Sequence, residues 1–456
     1  MPSVNGPVEV LAAADADVLQ RRAARSLRAR GLGEGDRVGV CFTGGVAQLS
    51  VIAGALRAGI VPVVVNPVLT LRERDVIRRD ADPALWLDDA NSVSELLAGI
   101  PAQPADVSHL PLGRPMHYTS GTTGVPKGVW TGVLDEGRAE SLWGEEIRQW
   151  GFGPDDVHLV CSPLQHSAPI RFAIATWLAG GRVVVPPKFS AGDLPDIVTE
   201  HGPNTAFCTP AHLQRLDEHG LLGAMGRFRI VVHAGSACPI DLKRRAIDAI
   251  GREVLWEFYG STEGQFTVCS SDDWTSHPGT VGRARSGRTL AVDGDGTIWC
   301  TAPDWGRWSY WGDAARTAKA WRDGSFTVGD LGRIDADGYL HLEGRRSDLI
   351  VSGGVNVYPA EVEACMVALH GVEEAVVFPR PDDRWGQRVC AAYVGTAEPG
   401  RVTDELRGQL AAYKLPKELH VVDAIPRTGM DKVPRHRMAE LLGLEEPLPS
   451  AGVRRD

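Results

Sequence analysis

A chain of 456 residues, with 58 acidic and 48 basic side chains and a formal net charge of −10, is too long for one ordinary core and calls for two or three domains. The acidic balance, with no cluster of Lys and Arg, argues against nucleic acid as the main partner. Eight cysteines, at 41, 161, 208, 238, 269, 300, 365 and 390, are scattered without a CxxC pair. They read as reduced, mostly buried thiols of a cytoplasmic protein, with neither a structural zinc site nor a cysteine nucleophile suggested.

In chain order, MPSVNGPVEV lacks a charged and apolar signal segment. Asp17 to Leu32 carries apolar residues at helical spacing, Arg37 to Phe42 reads as a short buried strand, Val46 to Arg57 as a helix and Ile60 to Val65 as a strand. The long apolar stretch Leu49 to Leu69 is broken by Arg57, Pro62, Asn66 and Pro67, so it reads as a buried helix and strand, not a membrane span. Strands recur at Val157 to Cys161, Arg182 to Val185, Thr205 to Thr209, Ile230 to His233 and Glu253 to Glu257, with helical patterns between several of them. This rhythm predicts an α/β architecture of layers with largely parallel sheets. From Thr280 to Cys300 short strands alternate with Gly-rich turns such as Asp293-Gly294-Asp295-Gly296, predicting a small β subdomain. A boundary falls at Gly344-Arg345-Arg346-Ser347-Asp348. Beyond it come a helix Pro359 to Leu369, strands Glu374 to Phe378 and Arg388 to Val394, a helix Thr403 to Tyr413 and a strand His420 to Val422. About 110 residues make a reasonable small α+β domain.

The richest chemistry lies in Tyr118-Thr119-Ser120-Gly121-Thr122-Thr123-Gly124-Val125-Pro126-Lys127-Gly128. Glycines let a backbone lie close to a ligand, and successive N–H groups with hydroxyls make an anion nest, so the loop suits a polyphosphate. The order GxxxxGK[ST] is absent, which excludes a Walker A loop. The run YTSGTTGVPKG resembles the signature of the adenylate-forming superfamily, which holds acyl-CoA synthetases, peptide-synthetase adenylation domains and firefly luciferases.

The resemblance spans nearly the whole chain and implies a large multi-layer N-terminal domain with mostly parallel sheets and a small β subdomain, followed by a small mobile α+β lid. Residues 1–344 would be the AMP-binding adenylation domain and 345–456 the C-terminal lid, with a hinge near 345–348 at Ser347. It implies phosphate contacts from Thr119, Ser120, Gly121, Thr122, Thr123, Gly124 and Lys127, with Thr122 among the catalytic groups. Glu257-Phe258-Tyr259-Gly260-Ser261-Thr262-Glu263 resembles the family's YGxTE motif. Glu263 would then hold Mg²⁺ with Thr119, and Phe258, Tyr259, Gly260, Ser261 and Thr262 would line the nucleotide. Gly235, Ser236 and Ala237 resemble the adenine-contacting stretch, and Asp330 and Arg345 the ribose contacts. Lys432 resembles the lysine that bridges the attacking carboxylate and the α-phosphate, although Asp431 stands where relatives usually have Gly. Gly353 and Gly354 resemble the loop that lines a thiol tunnel. His166 would sit at the mouth of an acyl pocket walled by Phe258, Gly260, Gln265 and Phe266, whose two phenylalanines point to an apolar acid.

The expected activity is a carboxylic acid–CoA ligase, working through an acyl-adenylate with ATP, Mg²⁺ and CoA, as a monomer or homodimer. Transfer of the acyl group to an amine or a carrier-protein thiol is the alternative, and a nucleotide-binding homologue without catalysis is a third reading.

Overall fold

The computed structural model describes residues 7–98, 107–119, 126–236, 238–345, 350–357, 359–426, 433 and 435–444. They fall into two compact units, one up to 345 and one from 350 on.

The first unit holds two large sheets. In one, the strands Arg182–Val185, Val157–Val160, Thr205–Cys208, Ile230–His233 and Leu255–Glu257 run parallel in that spatial order. Glu9–Ala12 closes one edge antiparallel, and Thr267–Ser270 and Arg283–Ala284 close the other. The central strands are buried along their whole length, which is why they read as continuous apolar runs without alternation. In the second sheet Leu85–Leu87, Arg37–Val40, Val61–Val64 and Met116–Thr119 are parallel, and Lys127–Trp130 and Ser309–Tyr310 add an antiparallel edge. A small antiparallel sheet follows, of Leu290–Val292, Ile298–Thr301, Ser325–Phe326 and Trp321–Arg322. Its expected turn is tied by Asp293 Oδ1, which accepts from the amides of Asp295 at 3.1 Å and Thr297 at 3.0 Å.

The second unit is a five-stranded sheet in which Gly386–Gly395 pairs with Val372–Asp382, Ile350–Ser352 and, in parallel, Glu418–Val421. Val355–Val357 folds back on Ile350–Ser352. The helix Pro359–Val367 and the segment around Leu406 cover one face over Val362, Met366, Val377 and Tyr393.

Two helices differ most from their expected bounds. The first runs Ala13–Ala29, not Asp17 to Leu32. Three early alanines favour helix, and Gly31, at φ +89°, turns the chain away before Leu32. The helix expected over Thr403 to Tyr413 is Pro399–Arg407. Proline is preorganised for a first helical turn, and Gly408 is a poor interior residue. Among the described residues no helix is long and apolar enough to cross a membrane.

The helices Ala13–Ala29 and Gly45–Arg57 touch backbone to backbone at Gly54. A Cβ there would stand 2.4 Å from the Gln20 carbonyl oxygen and 2.8 Å from Ala23 Cβ. Beside this contact the buried Arg57 donates to Asp17 Oδ1 at 2.7 Å and to the Ser108 carbonyl at 2.8 Å. Helix propensity favours alanine over glycine by about 1 kcal/mol, whereas overpacking a tight core costs about 1–3 kcal/mol. Gly54→Ala is therefore expected to lower the thermal unfolding midpoint. A midpoint equal to or above wild type would show that the helices can move apart without cost.

Candidate active site

Strand pairing assembles the first corner of the site. Thr119 lies directly opposite Lys127 across the antiparallel pair Met116–Thr119 and Lys127–Trp130, so both side chains stand on one face. Tyr310 enters from the next strand, where it pairs with Val129. Lys127 Nζ donates to the Tyr310 hydroxyl at 2.8 Å, and that hydroxyl donates to Glu263 Oε1 at 2.9 Å. Lys127 Nζ is itself 3.6 Å from Glu263 Oε1. The ammonium also lies 4.0 Å from the centre of the Tyr310 ring, a cation–π distance. Thr119 Oγ1 is buried with no hydrogen-bond partner among the described residues.

Glu263 is held by a tight turn after the strand Leu255–Glu257. Gly260 bridges to Gln265, and the Ser261 amide donates to the Gly264 carbonyl at 2.8 Å. Arg114 donates to the Glu263 carbonyl at 3.2 Å. The buried Glu263 carboxylate and the Thr119 hydroxyl, which has no partner among the described residues and lies on the strand opposite Lys127, are hard oxygen donors of the kind that suits Mg²⁺. Tyr259 is buried against Phe266, ring centres 4.8 Å apart. Its hydroxyl donates to Asp330 Oδ2 at 2.5 Å. Asp330 is 3% exposed and opens the strand Asp330–Ile334. The structure thus joins Lys127 to Glu263, directly and through Tyr310, and Tyr259 to Asp330, with Thr119 opposite Lys127 across the strand pair.

Other expected residues are placed more loosely. Gly235 and Ser236 follow the strand Ile230–His233, with Gly235 at φ +101°. Ser261 and Thr262 are half-buried in the Glu263 turn. Arg345 ends the strand Leu340–Arg345. His166 is exposed, immediately before the helix Ser167–Leu178. Phe258 faces away from Tyr259 and packs on Phe172 and Phe207. Phe266 is fully buried against Tyr259 and Phe326. Both phenylalanines are therefore core residues, and they no longer argue for an apolar acid. Gly353 and Gly354, at φ +59° and +78°, form the two-residue turn between Ile350–Ser352 and Val355–Val357, the type I′ geometry that demands positive φ at both positions. Ser120, Gly121, Thr122, Thr123, Gly124, Ala237, Ser347, Asp431 and Lys432 lie outside the described residues.

Sequence reading missed two buried ionic clusters. In one, His233 and Glu257 are register partners on adjacent parallel strands, and Lys243 reaches up from the helix Ile240–Ile250 to contact His233 Nε2 and Glu257 Oε2, the latter at 3.2 Å. Burial, reinforced by Lys243, pushes His233 well below the usual imidazole range, and burial raises Glu257. The cluster ties the strand ends from which Gly235-Ser236 and Phe258–Glu263 depart.

In the other, Arg171 donates to Glu146 Oε1 at 2.9 Å, and Arg285 lies 2.8 Å from Glu146 Oε2 and 2.5 Å from Glu145 Oε1. Arg288 grips Glu145 at 2.7 and 3.2 Å. Burial alone would raise Glu146, but the guanidiniums of Arg171 and Arg285 overcome it and hold the carboxyl at about 2. The stability this pairing contributes is therefore present above the ordinary value of 4.5 and is lost as pH falls towards 2. Removing one partner of a buried ion pair costs about 3–5 kcal/mol. Glu146→Gln should thus be clearly less stable than wild type at pH 7 by chemical denaturation, with the difference shrinking as pH falls below about 4. A difference that stays constant down to pH 2 would contradict the assignment.

Residues 10–112 and 115–298 match the family described as AMP-binding enzyme, and residues 361–432 match the AMP-binding enzyme C-terminal domain. Feruloyl-CoA synthase of Amycolatopsis sp is 31% identical over 454 residues, which cover 91% of this chain and 91% of that protein. Fatty acid–acyl-carrier-protein ligase ScoC of Streptomyces coeruleorubidus is 31% identical over 473 residues, covering 92% and 89%. The o-succinylbenzoate CoA synthetase of Bacillus subtilis shares the fold, with a TM-score of 0.82 at 24% identity over 94% of this chain and 93% of that one. A parallel-sheet scaffold that carries the Thr119–Lys127 strand pair, a Glu263 turn and a buried Asp330 thus coincides with a family match over most of the chain: it belongs to the AMP-binding enzyme family, within the adenylate-forming superfamily, and is an enzyme of the acid–CoA ligase type.

Proposed function

We propose that the corner of Thr119, Lys127, Tyr310 and Glu263 receives the phosphates of ATP, and that the chain uses it to activate a carboxylic acid as an acyl-adenylate and pass it to the CoA thiol. The observation that carries this reading is the Lys127–Tyr310–Glu263 chain of hydrogen bonds, with the Thr119 hydroxyl, which has no partner among the described residues, on the strand opposite Lys127. Glu263 and Thr119 would hold Mg²⁺, which supplies charge neutralisation on the polyphosphate when bound.

The attacking carboxylate is already an anion, so the reaction needs no general base. Its oxygen forms a bond to the α-phosphorus and the bond to pyrophosphate breaks. The thiol sulfur then attacks the acyl carbon and AMP leaves. Positioning and charge stabilisation do most of the catalytic work. Lys127, fixed by Tyr310, neutralises phosphate charge. Asp330, pinned by the Tyr259 hydroxyl, is a bidentate acceptor suited to two ribose hydroxyls. Lys432 takes the bridging role by resemblance of its motif, and the domain division at 344/345, with Ser347 as hinge, accompanies that reading. A cytoplasmic site accords with the supply of ATP and CoA. A carrier-protein thiol is the second acceptor to consider, supported by the name of the relative from Streptomyces coeruleorubidus.

Pyrophosphate release with ATP and Mg²⁺, measured across a panel of acids with and without CoA, tests the proposal. Acid-dependent release that turns over only with CoA is expected, while release indifferent to CoA would move the acceptor to an amine or a carrier-protein thiol. Glu263→Gln and Lys432→Ala should each lower acid-dependent release by on the order of 10²–10³. Ser347→Pro should leave adenylate formation largely intact and slow thioester formation, and an equal fall in both steps would remove the hinge assignment.

A further inference from the structure

The ionic cluster around Glu146 is not neutral. Four guanidiniums, of Arg114, Arg171, Arg285 and Arg288, face three carboxylates, of Glu145, Glu146 and Glu263. Arg285 and Arg288 share Glu145, and Arg285 and Arg171 share Glu146. The sharing leaves Arg171 Nη2 buried with no hydrogen-bond partner among the described residues, on a residue only 7% exposed. A buried donor left unmade is costly, and more so when it carries charge. Arg114, half-buried, has a backbone carbonyl as its described acceptor, and its burial near Arg171 and Arg288 lowers it to about 10.

Arg171 and Arg114 line the same small space with Glu146, Gly264, Gln265 and Arg288. It adjoins the reacting corner, because Gly264 and Gln265 follow Glu263 directly and Arg114 holds the Glu263 carbonyl. Its free volume is about 30 Å³, room for one or two water molecules, and so for a carboxylate head but not an aromatic ring. Leu142, Trp305 and Phe326 complete its wall, so the charged groups of Arg171 and Arg114 stand in a partly apolar surround that strengthens their pull on an anion.

We infer that the acid activated by this enzyme carries a second carboxylate, received by Arg171 and Arg114 in the space beside Gly264 and Gln265. This inference rests on the ligase reading above. A guanidinium matches a carboxylate with paired donors, and the second anion brings the cluster closer to neutrality. Gln265 contributes an amide, whose NH₂ end can also donate.

The test is CoA-dependent pyrophosphate release and thioester formation by the wild-type enzyme. Straight-chain dicarboxylic acids of three to six carbons are compared with their monomethyl esters, which keep the chain and remove one charge, and with monocarboxylic acids of equal length. The diacid is expected to exceed its monoester in kcat/KM by at least ~10-fold, the scale of a lost charge-assisted hydrogen bond. Arg171→Gln should cut that ratio by a similar factor, mainly through a higher KM for the diacid. Should that variant fail to fold, the wild-type ratio decides alone. Monoesters or simple fatty acids turned over as well as diacids, or better, would overturn the inference and leave the ligase reading standing. CoA-dependent turnover of no acid at all would sink the ligase reading and this inference with it.

Discussion

The antiparallel pairing of Met116–Thr119 with Lys127–Trp130 is the constraint on which the site depends. It puts Thr119 opposite Lys127, and the added edge strand Ser309–Tyr310 brings a phenol between Lys127 and Glu263. Three groups far apart in the chain are thereby fixed without relying on loop order. Preorganised charges of this kind stabilise developing phosphate charge without reorganising during reaction. The larger sheet makes the complementary contribution. Its parallel strands end at His233 and Glu257, and the turns that leave them carry Gly235, Ser236 and Glu263, in accord with the general placement of ligands beyond the carboxyl ends of strands in α/β sheets.

Much of the scaffold is legible in sequence because short β-branched runs leave little choice. Arg182–Val185 and Ile230–His233 coincide with their expected bounds. Helix ends were harder, as Ala13–Ala29 and Pro399–Arg407 illustrate: apolar periodicity says where a helix faces, whereas alanines, proline and glycine at its ends decide where it begins and stops. In the site, Thr119, Lys127, Glu263, Tyr259 and Asp330 stand in local motifs and could be singled out. Tyr310 and Arg285 could not. Tyr310 lies 183 residues from Lys127 and Arg285 lies 139 from Glu146, and nothing in the chain around either one announces a partner so distant.

Phe258 and Phe266 show the opposite error. Next to a binding motif, an aromatic side chain invites assignment to the ligand. Just past the strand Leu255–Glu257, Phe258 and Tyr259 pack on different aromatic neighbours, and both phenylalanines complete cores instead. The small space beside Gly264 and Gln265 is then lined by Arg171, Glu146 and Gln265 together with Leu142, Trp305 and Phe326, and its charged members are mutually dependent. A cluster in which each carboxylate serves two guanidiniums resists piecemeal change, since altering one member leaves another buried without its counter-charge.

The Gly353-Gly354 turn has a consequence for how such chains are classified. Both glycines adopt positive φ, and a Cβ on Gly353 would meet the Trp385 ring at 2.6 Å. The hairpin therefore requires small residues there for its own geometry, whatever molecule finally accepts the acyl group. A glycine pair at this position is a signature of the hairpin first, and it cannot serve as a marker that separates thiol-using members of the superfamily from amine-using ones.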